Sequence, residues 1–230
     1  MTAPAWFSDV IAGARTITAD QLTRFTVPDG SEPRRSAVLM LFGEGAQGPD
    51  LVLTERSHTM RSHPGQVSFP GGTMDPGESA VQAALREAEE EAGIDPLSVE
   101  VAGHLPELWL PPSNFAVIPV LGWWADPREL IPASVDEVHA VYRVPIADLA
   151  DPTHRLTVTS PSRGWRSPGF MIGPDKDVIL WGFTGGVVER FLTHVGWIKP
   201  MPDAREVEVP AYMLVGRERA DRHDLPEVSE

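Results

Sequence analysis

The 230-residue chain is 42% hydrophobic, enough for a substantial core, and its formal net charge is −14. This acidic balance argues against nonspecific nucleic-acid binding, and the absence of cysteine excludes disulfides, thiol catalysis and thiolate metal sites. No apolar run approaches the ~18–20 residues of a membrane span. The first 15 residues have no basic residue before their short apolar stretch, unlike a signal peptide, so we expect a cytoplasmic protein.

In chain order, the hydrophobic pattern alternates between helical and extended segments. Residues 4–25 predict one or two helices, in which Thr18 and Gln21 form a capping box. The other predicted elements are strands at 36–42 and 51–54 around a Gly-rich turn (43–50), a long functional loop (55–78), a helix (80–92), strands at 99–108, 116–124 and 138–144, a short helix at 145–149, short strands within 156–182, a helix at 184–196, and an extra strand or docking arm within 206–215.

Strands interleaved with helices over this length predict an α/β sandwich. We expect three parts: an N-terminal helical extension (1–32), a main domain (33–200) and a C-terminal extension (201–230). The last residues of the extension, 217–230, are mostly polar, and we expect them to be mobile.

The most informative feature of the chain is a set of three glutamates, Glu87, Glu90 and Glu91, just after Arg86. On a helix, positions three and four apart share a face, so these carboxylates repel one another unless a cation lies between them. Carboxylate oxygens with no His or Cys nearby suit Mg²⁺ or Mn²⁺, ions that most often serve phosphate chemistry. The alternative for such a run taken alone is a solvated surface helix.

The flanking residues favour a helix preceded by a tight loop. Ser79 and Gln82 form a capping box, and Gly93 is placed to end the helix in a left-handed conformation. The segment Phe69-Pro70-Gly71-Gly72 precedes the helix, and its glycines allow the backbone to approach a ligand closely.

These residues together form a spaced motif. The spacing is Gly72, five residues, Glu78, seven residues, Arg86-Glu87, two residues, Glu90-Glu91, one residue, Gly93-Ile94. It resembles the box of the Nudix hydrolases, with Ala88 where the family usually has a bulkier aliphatic residue. The resemblance implies the family's α/β/α sandwich with a mixed central sheet, and a pyrophosphohydrolase activity.

The resemblance also implies roles for individual residues. The implied metal ligands are Glu87, Glu91, the Gly71 carbonyl and Glu90, which would otherwise orient the water. Arg86 would orient the carboxylates, and Glu78 would close the loop onto the helix by pairing with Arg86 or a backbone donor. Several family members take their general base from a loop beyond the box. Glu137 lies in a comparable place and is our first choice, with Glu90 or Glu87 next and an exposed loop acid as the alternative.

A second motif stands upstream of the first. It consists of Val52-Leu53-Thr54-Glu55-Arg56-Ser57, three residues, Arg61, three residues, Gly65, three residues, Phe69-Pro70-Gly71-Gly72. It resembles the extra motif of the coenzyme A diphosphatases, a Nudix subgroup, with Val52 in place of Leu. The later stretch Trp181-Gly182-Phe183-Thr184-Gly185 resembles another subgroup feature, with Gly185 in place of Ala.

The upstream residues suit a substrate that carries several phosphates. Arg56 and Arg61 can offer forked donors to phosphate oxygens, His63 and Gln66 can add hydrogen bonds, and Phe69 can face an adenine or pantetheine group. The alternatives are that the arginines pair with glutamates of this acidic chain, that His63 is an ordinary loop histidine and that Phe69 belongs to the core. The remaining histidines are scattered, with no spacing typical of zinc sites.

The resemblances imply metal-dependent hydrolysis of coenzyme A to 4′-phosphopantetheine and 3′,5′-ADP. One alternative is a Nudix hydrolase of another nucleoside diphosphate derivative, such as ADP-ribose or NADH. A second is a Nudix-like ligand sensor without catalysis, against which the retained glutamates argue. We expect a small-molecule substrate, no nucleic-acid or membrane partner, and, by family analogy, a homodimer.

Overall fold

A computed structural model describes residues 3–27, 30–60, 63–111, 114–134, 136–160, 164–210 and 213. Arg61 and the polar C-terminal segment, 217–230, lie outside these described residues. Within the described ranges, no helix is both long enough and apolar enough to cross a membrane.

Helices are interleaved with groups of strands along the described chain, as the sequence predicts. The helices are α1 (Phe7–Thr16), α2 (Ala19–Leu22), α3 (Ala80–Ala92), α4 (Ile146–Ala150) and α5 (Gly182–His194). The strands are β1 (Arg34–Gly45), β2 (Gly48–Arg56), β3 (Val67–Ser68), β4 (Gly71–Thr73), β5 (Val99–His104), β6 (Leu108–Leu110), β7 (Phe115–Trp124), β8 (Val138–Pro145), β9 (Arg155–Ser160), β10 (Trp165–Ile172), β11 (Val178–Leu180) and β12 (Arg205–Glu208).

The larger of two sheets has the order β3-β2-β1-β7-β5, with β4, β6 and β8 pairing onto β1, β7 and β2 respectively. Strands β1 and β7 run parallel, whereas the other pairs of this sheet are antiparallel, so the sheet is mixed. The smaller sheet has the order β11-β10-β9-β12. The predicted α/β fold with a mixed central sheet is therefore confirmed.

Strand β1 shows how the central sheet is covered on both faces. Successive side chains of a strand point to opposite faces. Leu39 and Leu41 belong to the apolar cluster that α3 covers, whereas Met40 and Phe42 belong to the cluster that α1 and α5 cover. The near-continuous apolar run of β1 is thus explained by burial on both faces.

Helix α3 begins and ends where the sequence predicts. The Ser79 hydroxyl accepts a hydrogen bond from the Gln82 backbone N–H (3.3 Å), and the Gln82 side chain accepts one from the Ser79 backbone N–H (2.9 Å). Gly93 ends the helix at φ 66°. The face toward the sheet consists of fully buried small residues, Ala83, Ala84, Ala88 and Ala92. Small side chains allow the helix to lie close to the sheet, and this close packing positions the glutamates of the same helix.

Some predicted boundaries are wrong. The predicted turn at 43–50 belongs largely to a hairpin, because the β1–β2 ladder continues to the pair Gly45–Gly48. The predicted loop at 55–78 contains β3 and β4, and β4 forms because residues 71–73 pair with Ser36–Val38 of β1. The extra strand predicted within 206–215 is present as β12, which pairs in parallel with β9, and only its bounds differ from the prediction.

We predict different costs for two glycine substitutions with positive φ. A Cβ at Gly71 (φ 154°) would lie 2.4 Å from the Ala37 carbonyl oxygen and 2.5 Å from the Val38 Cα, whereas one at Gly93 would meet only the Ile131 carbonyl oxygen at 3.9 Å. Gly93→Ala should therefore cost about 1–2 kcal/mol of unfolding free energy from backbone conformation alone, and Gly71→Ala should cost more because central backbone must move. Urea unfolding of chelator-treated protein measures both, and equal costs would contradict the close packing of β4 on β1.

Candidate active site

The glycine pair of β4 brings backbone directly against the carboxylates of α3. The Gly71 N–H donates a hydrogen bond to Glu91 Oε2 at 3.1 Å. A Cβ at Gly72 would lie 2.5 Å from the carboxyl carbon of Glu87. The absence of side chains at these two positions therefore creates the space in which Glu87 and Glu91 lie together.

Arg86 holds this arrangement in place through several hydrogen bonds. Its guanidinium makes a two-pronged contact with Glu78, with Nε 3.0 Å from Oε1 and Nη2 3.1 Å from Oε2. Its Nη1 donates to Glu87 Oε1 at 3.0 Å and its Nη2 donates to the Thr73 carbonyl at 3.1 Å. Arg86 thereby joins the loop, the strand and the helix, as a planar guanidinium with five donors can do.

The electrostatics at Glu78 and Glu90 differ from those deeper in the site. The hydrogen bond from Arg86, with help from the Asp75 backbone N–H, lowers the pKa of Glu78. Glu90 is more exposed than Glu87 and Glu91, with 59% of its side chain accessible and one Arg86 nitrogen at 3.4 Å. It therefore lies at the rim of the cluster.

The two inner carboxylates are held in conditions that favour a cation. Burial raises the pKa of Glu91 to about 7, although the Gly71 N–H and the positive charge of Arg56 act in the opposite direction. Burial also raises the pKa of Glu87, and the charges of Glu90 and Glu137 add to that rise. A cluster of carboxylate oxygens, partly removed from water and repelling one another, fits a hard divalent ion.

Arg56 lies at the end of β2, next to this cluster. It points to the same face of the sheet as Val52, whose side chain belongs to the apolar cluster under α3. Its Nε is buried without a hydrogen-bond partner among the described residues, and no described carboxylate forms an ion pair with it, although its charge acts on Glu91. Among the described residues, Arg56 therefore has no glutamate partner, contrary to the alternative that it serves only as an ion-pair partner.

Glu137 is close enough to the same cluster for its charge to act on it. Its side chain is exposed, and its charge raises the pKa of both Glu87 and Glu91. Its backbone carbonyl accepts a hydrogen bond of 2.7 Å from the Ser57 N–H. That bond anchors the segment before β8 to the residue immediately after Arg56.

The other predicted substrate-binding residues fall in three different situations. His63 Nδ1 and Gln66 Oε1 lie 2.9 Å apart, and the Gln66 carbonyl accepts a hydrogen bond from the Arg56 N–H at 3.0 Å, so both belong to the loop beside Arg56. The prediction that Phe69 faces substrate is wrong, because its side chain is only 2% exposed and packs within the hydrophobic core. Arg61 lies outside the described residues.

The structure also brings together polar residues that the sequence did not connect. Glu55, His58 and His139 cluster near the end of β2, and Tyr142 hydrogen-bonds to Glu55. His58 and His139 are 81 positions apart, so no local spacing in the sequence predicts the group. Only the pairing of β2 with β8 reveals it.

Comparison with known proteins assigns the chain to a family. The family profile described as "NUDIX domain" matches residues 32–165. The chain belongs to the Nudix family. Nudix hydrolase 3 of Caenorhabditis elegans is 46% identical over 159 residues, which cover 62% of this chain and 65% of that protein, slightly less than two thirds of its length.

Other relatives extend the same likeness. The protein called "Uncharacterized Nudix hydrolase NudL" of Escherichia coli K12 is 38% identical over 169 residues, covering 73% of this chain and 85% of that protein. Among solved structures, the Nudix hydrolase RenU of M. smegmatis aligns with a TM-score of 0.51 at 18% identity, over 74% of this chain and 89% of that one. The structural likeness concerns the fold alone, and the sequence relatives confirm the expectation that the chain belongs to the Nudix family.

We predict that the metal-free Nudix protein loses stability as pH rises, because of Glu91. The pKa of this group is about 7 in the folded protein against 4.5 in the unfolded chain, so the folded state binds more protons between these values. Its contribution to stability is present below about pH 4.5 and is lost as pH rises through about 7, a change of at most ~3 kcal/mol. Urea unfolding in chelator at pH 5 and pH 8 should show a smaller decline for Glu91→Gln than for the wild type.

The control for this measurement is Glu89→Gln, since Glu89 is exposed on the same helix. This variant should follow the wild-type decline with pH. If Glu91→Gln and the wild type lose stability in parallel, burial does not raise the pKa of Glu91 as the structure indicates.

Proposed function

We propose that this Nudix protein hydrolyses the diphosphate bond of coenzyme A or its derivatives, with Mg²⁺ or Mn²⁺. The observation that carries the proposal is the position of Arg56, a cation without a described carboxylate partner, beside Glu91. An anionic substrate needs such a group, because the cluster itself is negatively charged and would repel phosphate. A guanidinium binds phosphate oxygens in a forked geometry.

The choice of coenzyme A is supported by the upstream motif. Arg56, Arg61, Gly65 and the Phe69–Gly72 stretch match the extra motif of the coenzyme A diphosphatases. Coenzyme A carries a 3′-phosphate in addition to its diphosphate, and the two arginines of the motif would serve both groups. His63 and Gln66 are proposed to support the loop beside Arg56 or to bind substrate directly.

The metal ligands proposed are Glu87, Glu91, Glu90 and the Gly71 carbonyl. A divalent ion held by these residues would neutralise diphosphate charge and lower the pKa of its bound water. Arg86 positions Glu87 through its 3.0 Å hydrogen bond and holds Glu78 on the opposite side of its guanidinium. Both are positioning residues in this proposal, since their contacts are to carboxylates of the protein.

The proton transfer is assigned to Glu137. Water attacks one phosphorus of the diphosphate, the bridging P–O bond breaks, and the products are 4′-phosphopantetheine and 3′,5′-ADP. Glu137 would accept the proton of the attacking water, because its exposed carboxylate lies near Glu87 and Glu91 while its backbone is anchored to Ser57. Arg56 and Arg61 would hold the phosphates during the reaction.

Compartment and assembly belong to the same proposal. We propose a cytoplasmic enzyme that acts on small molecules and forms a homodimer. Light scattering of the purified full chain gives the mass directly, and a mass of one chain would remove the dimer from the proposal without affecting the chemistry.

We predict that coenzyme A is hydrolysed faster than ADP-ribose or NADH in the presence of Mg²⁺ or Mn²⁺. Chromatography of the products should show 4′-phosphopantetheine and 3′,5′-ADP, and a chelator should stop their formation.

Glu91→Gln should lose most of the turnover while it stays folded, because it removes a ligand charge with little change of shape. Glu89→Gln should retain the wild-type rate.

Three outcomes would change the proposal in different ways. Faster hydrolysis of ADP-ribose or NADH would keep the Nudix chemistry and reject coenzyme A as the preferred substrate. Wild-type turnover in Glu91→Gln would remove Glu91 from the site. Binding without turnover in a folded, metal-loaded sample would favour a ligand sensor.

We predict that Arg56→Ala lowers kcat/KM for coenzyme A by about 10–100-fold, the effect expected when a charged hydrogen-bonding group of about 1.5–3 kcal/mol is lost. The control is Arg128→Ala, because Arg128 is a 65% exposed arginine that pairs with Asp126 and Asp95. Steady-state kinetics should show a rise in KM for Arg56→Ala alone. Equal kinetics for the two variants would assign Arg56 a structural role.

A further inference from the structure

A second group of metal-ligating side chains lies outside the acidic cluster. Glu55 is the next-to-last residue of β2, His58 follows the strand, and His139 is near the start of β8. One ligand atom from each lies within 4.8 Å of the other two. His58 Nε2 is 2.8 Å from Glu55 Oε1, and the two imidazole rings have centroids 4.5 Å apart.

A β-bulge gives His139 its position. Glu55 pairs with Ala140, and the next residue, Arg56, pairs with Val138. His139 is therefore the extra residue on β8, opposite a single step of β2. A bulge of this kind re-aims a side chain, which here places the second imidazole beside the first.

The carboxylate of the group is fixed by a further hydrogen bond. Tyr142 Oη donates to Glu55 Oε2 at 2.5 Å, so one oxygen of Glu55 bonds to the phenol while the other faces His58. Glu55 and His58 are both buried, whereas His139 is exposed. Carboxylates that ligate metal ions are commonly oriented by such a hydrogen bond, and the exposed His139 leaves the group accessible from solvent.

We propose that Glu55, His58 and His139 bind a zinc-class divalent transition ion, at a site distinct from the carboxylate cluster on α3. Two imidazoles and one carboxylate suit Zn²⁺, whereas all-oxygen sites suit Mg²⁺ and Mn²⁺. Ligand atoms about 2.0–2.2 Å from one zinc lie roughly 3.3 Å apart in a tetrahedron. The ligand atoms of the group all lie within 4.8 Å of one another. On binding, the 2.8 Å separation of Glu55 and His58 would widen slightly, and the exposed His139 side chain would move toward them.

The ion would connect two segments that also carry residues of the active site. Glu55 is adjacent to Arg56, and His139 is two residues from Glu137. On β2, Glu55 points to the same face of the sheet as Leu53, which packs in the core cluster away from α3. Arg56 points to the opposite face, as Val52 does, toward α3. Zinc at this position would hold the ends of β2 and β8 together from the face opposite the acidic helix.

The test is zinc binding by the untagged full chain. The protein is stripped with a chelator and dialysed against Zn²⁺ in an excess of Mg²⁺, which competes for all-oxygen sites, and zinc per chain is measured by mass spectrometry. The wild type and His104→Ala should each retain one zinc, since His104 is an exposed histidine of β5. His139→Ala and His139→Gln should bind at least about 10-fold more weakly.

Co²⁺ provides a readout that does not depend on activity. The wild type should show the visible bands of cobalt bound to imidazole, and His139→Ala should lose them, as it should lose any rise of Tm with Zn²⁺. The proposal is overturned if the wild type binds no zinc under these conditions, if His139→Ala and His139→Gln bind as the wild type does, or if His104→Ala loses zinc to the same extent.

Discussion

The arrangement of this protein depends on the close approach of β4 to α3, which places two carboxylates where they are partly removed from water. Gly71 and Gly72 make the approach sterically possible, and the buried alanines of α3 bring the helix down onto the sheet. Partly desolvated like charges are unfavourable without compensation. The surrounding polar groups supply part of it: Arg86 from the same helix, the Gly71 N–H from β4, and the charge of Arg56 from the end of β2. The remaining excess of negative charge is what makes the site suitable for a divalent ion.

At the end of β2, the alternation of side chains along the strand places two different polar groups on opposite faces of the sheet. Adjacent residues point to opposite faces, so Arg56 and Glu55 serve different environments although they are neighbours in sequence. One face has carboxylates and a guanidinium, which suit a hard cation and phosphate. The other has two imidazoles, a buried carboxylate and a phenol, which suit a softer ion. The bulge opposite Glu55 is the local irregularity that makes the second group possible.

Local signals in the sequence were reliable where a few neighbouring residues decide the conformation. The capping boxes at Thr18 and Ser79 and the left-handed Gly93 are all present, because each depends on hydrogen bonds or steric freedom within one helical turn. Predictions that depended on distant partners were less accurate. The glycines at 43–45 look like a turn but continue a ladder with β2, and Phe69 looks available to a ligand but fills the core.

The sequence by itself determined the family, the acidic helix with its ends, and the choice of residues proposed as metal ligands, since these follow from short-range spacing. Only the tertiary structure decided which charges act together. It placed Glu137 near Glu87 and Glu91, left Arg56 without a described carboxylate partner, and joined His58 with His139 across 81 positions. The physical reason is that strand pairing and a bulge set these distances, and both depend on contacts between segments that no local pattern specifies.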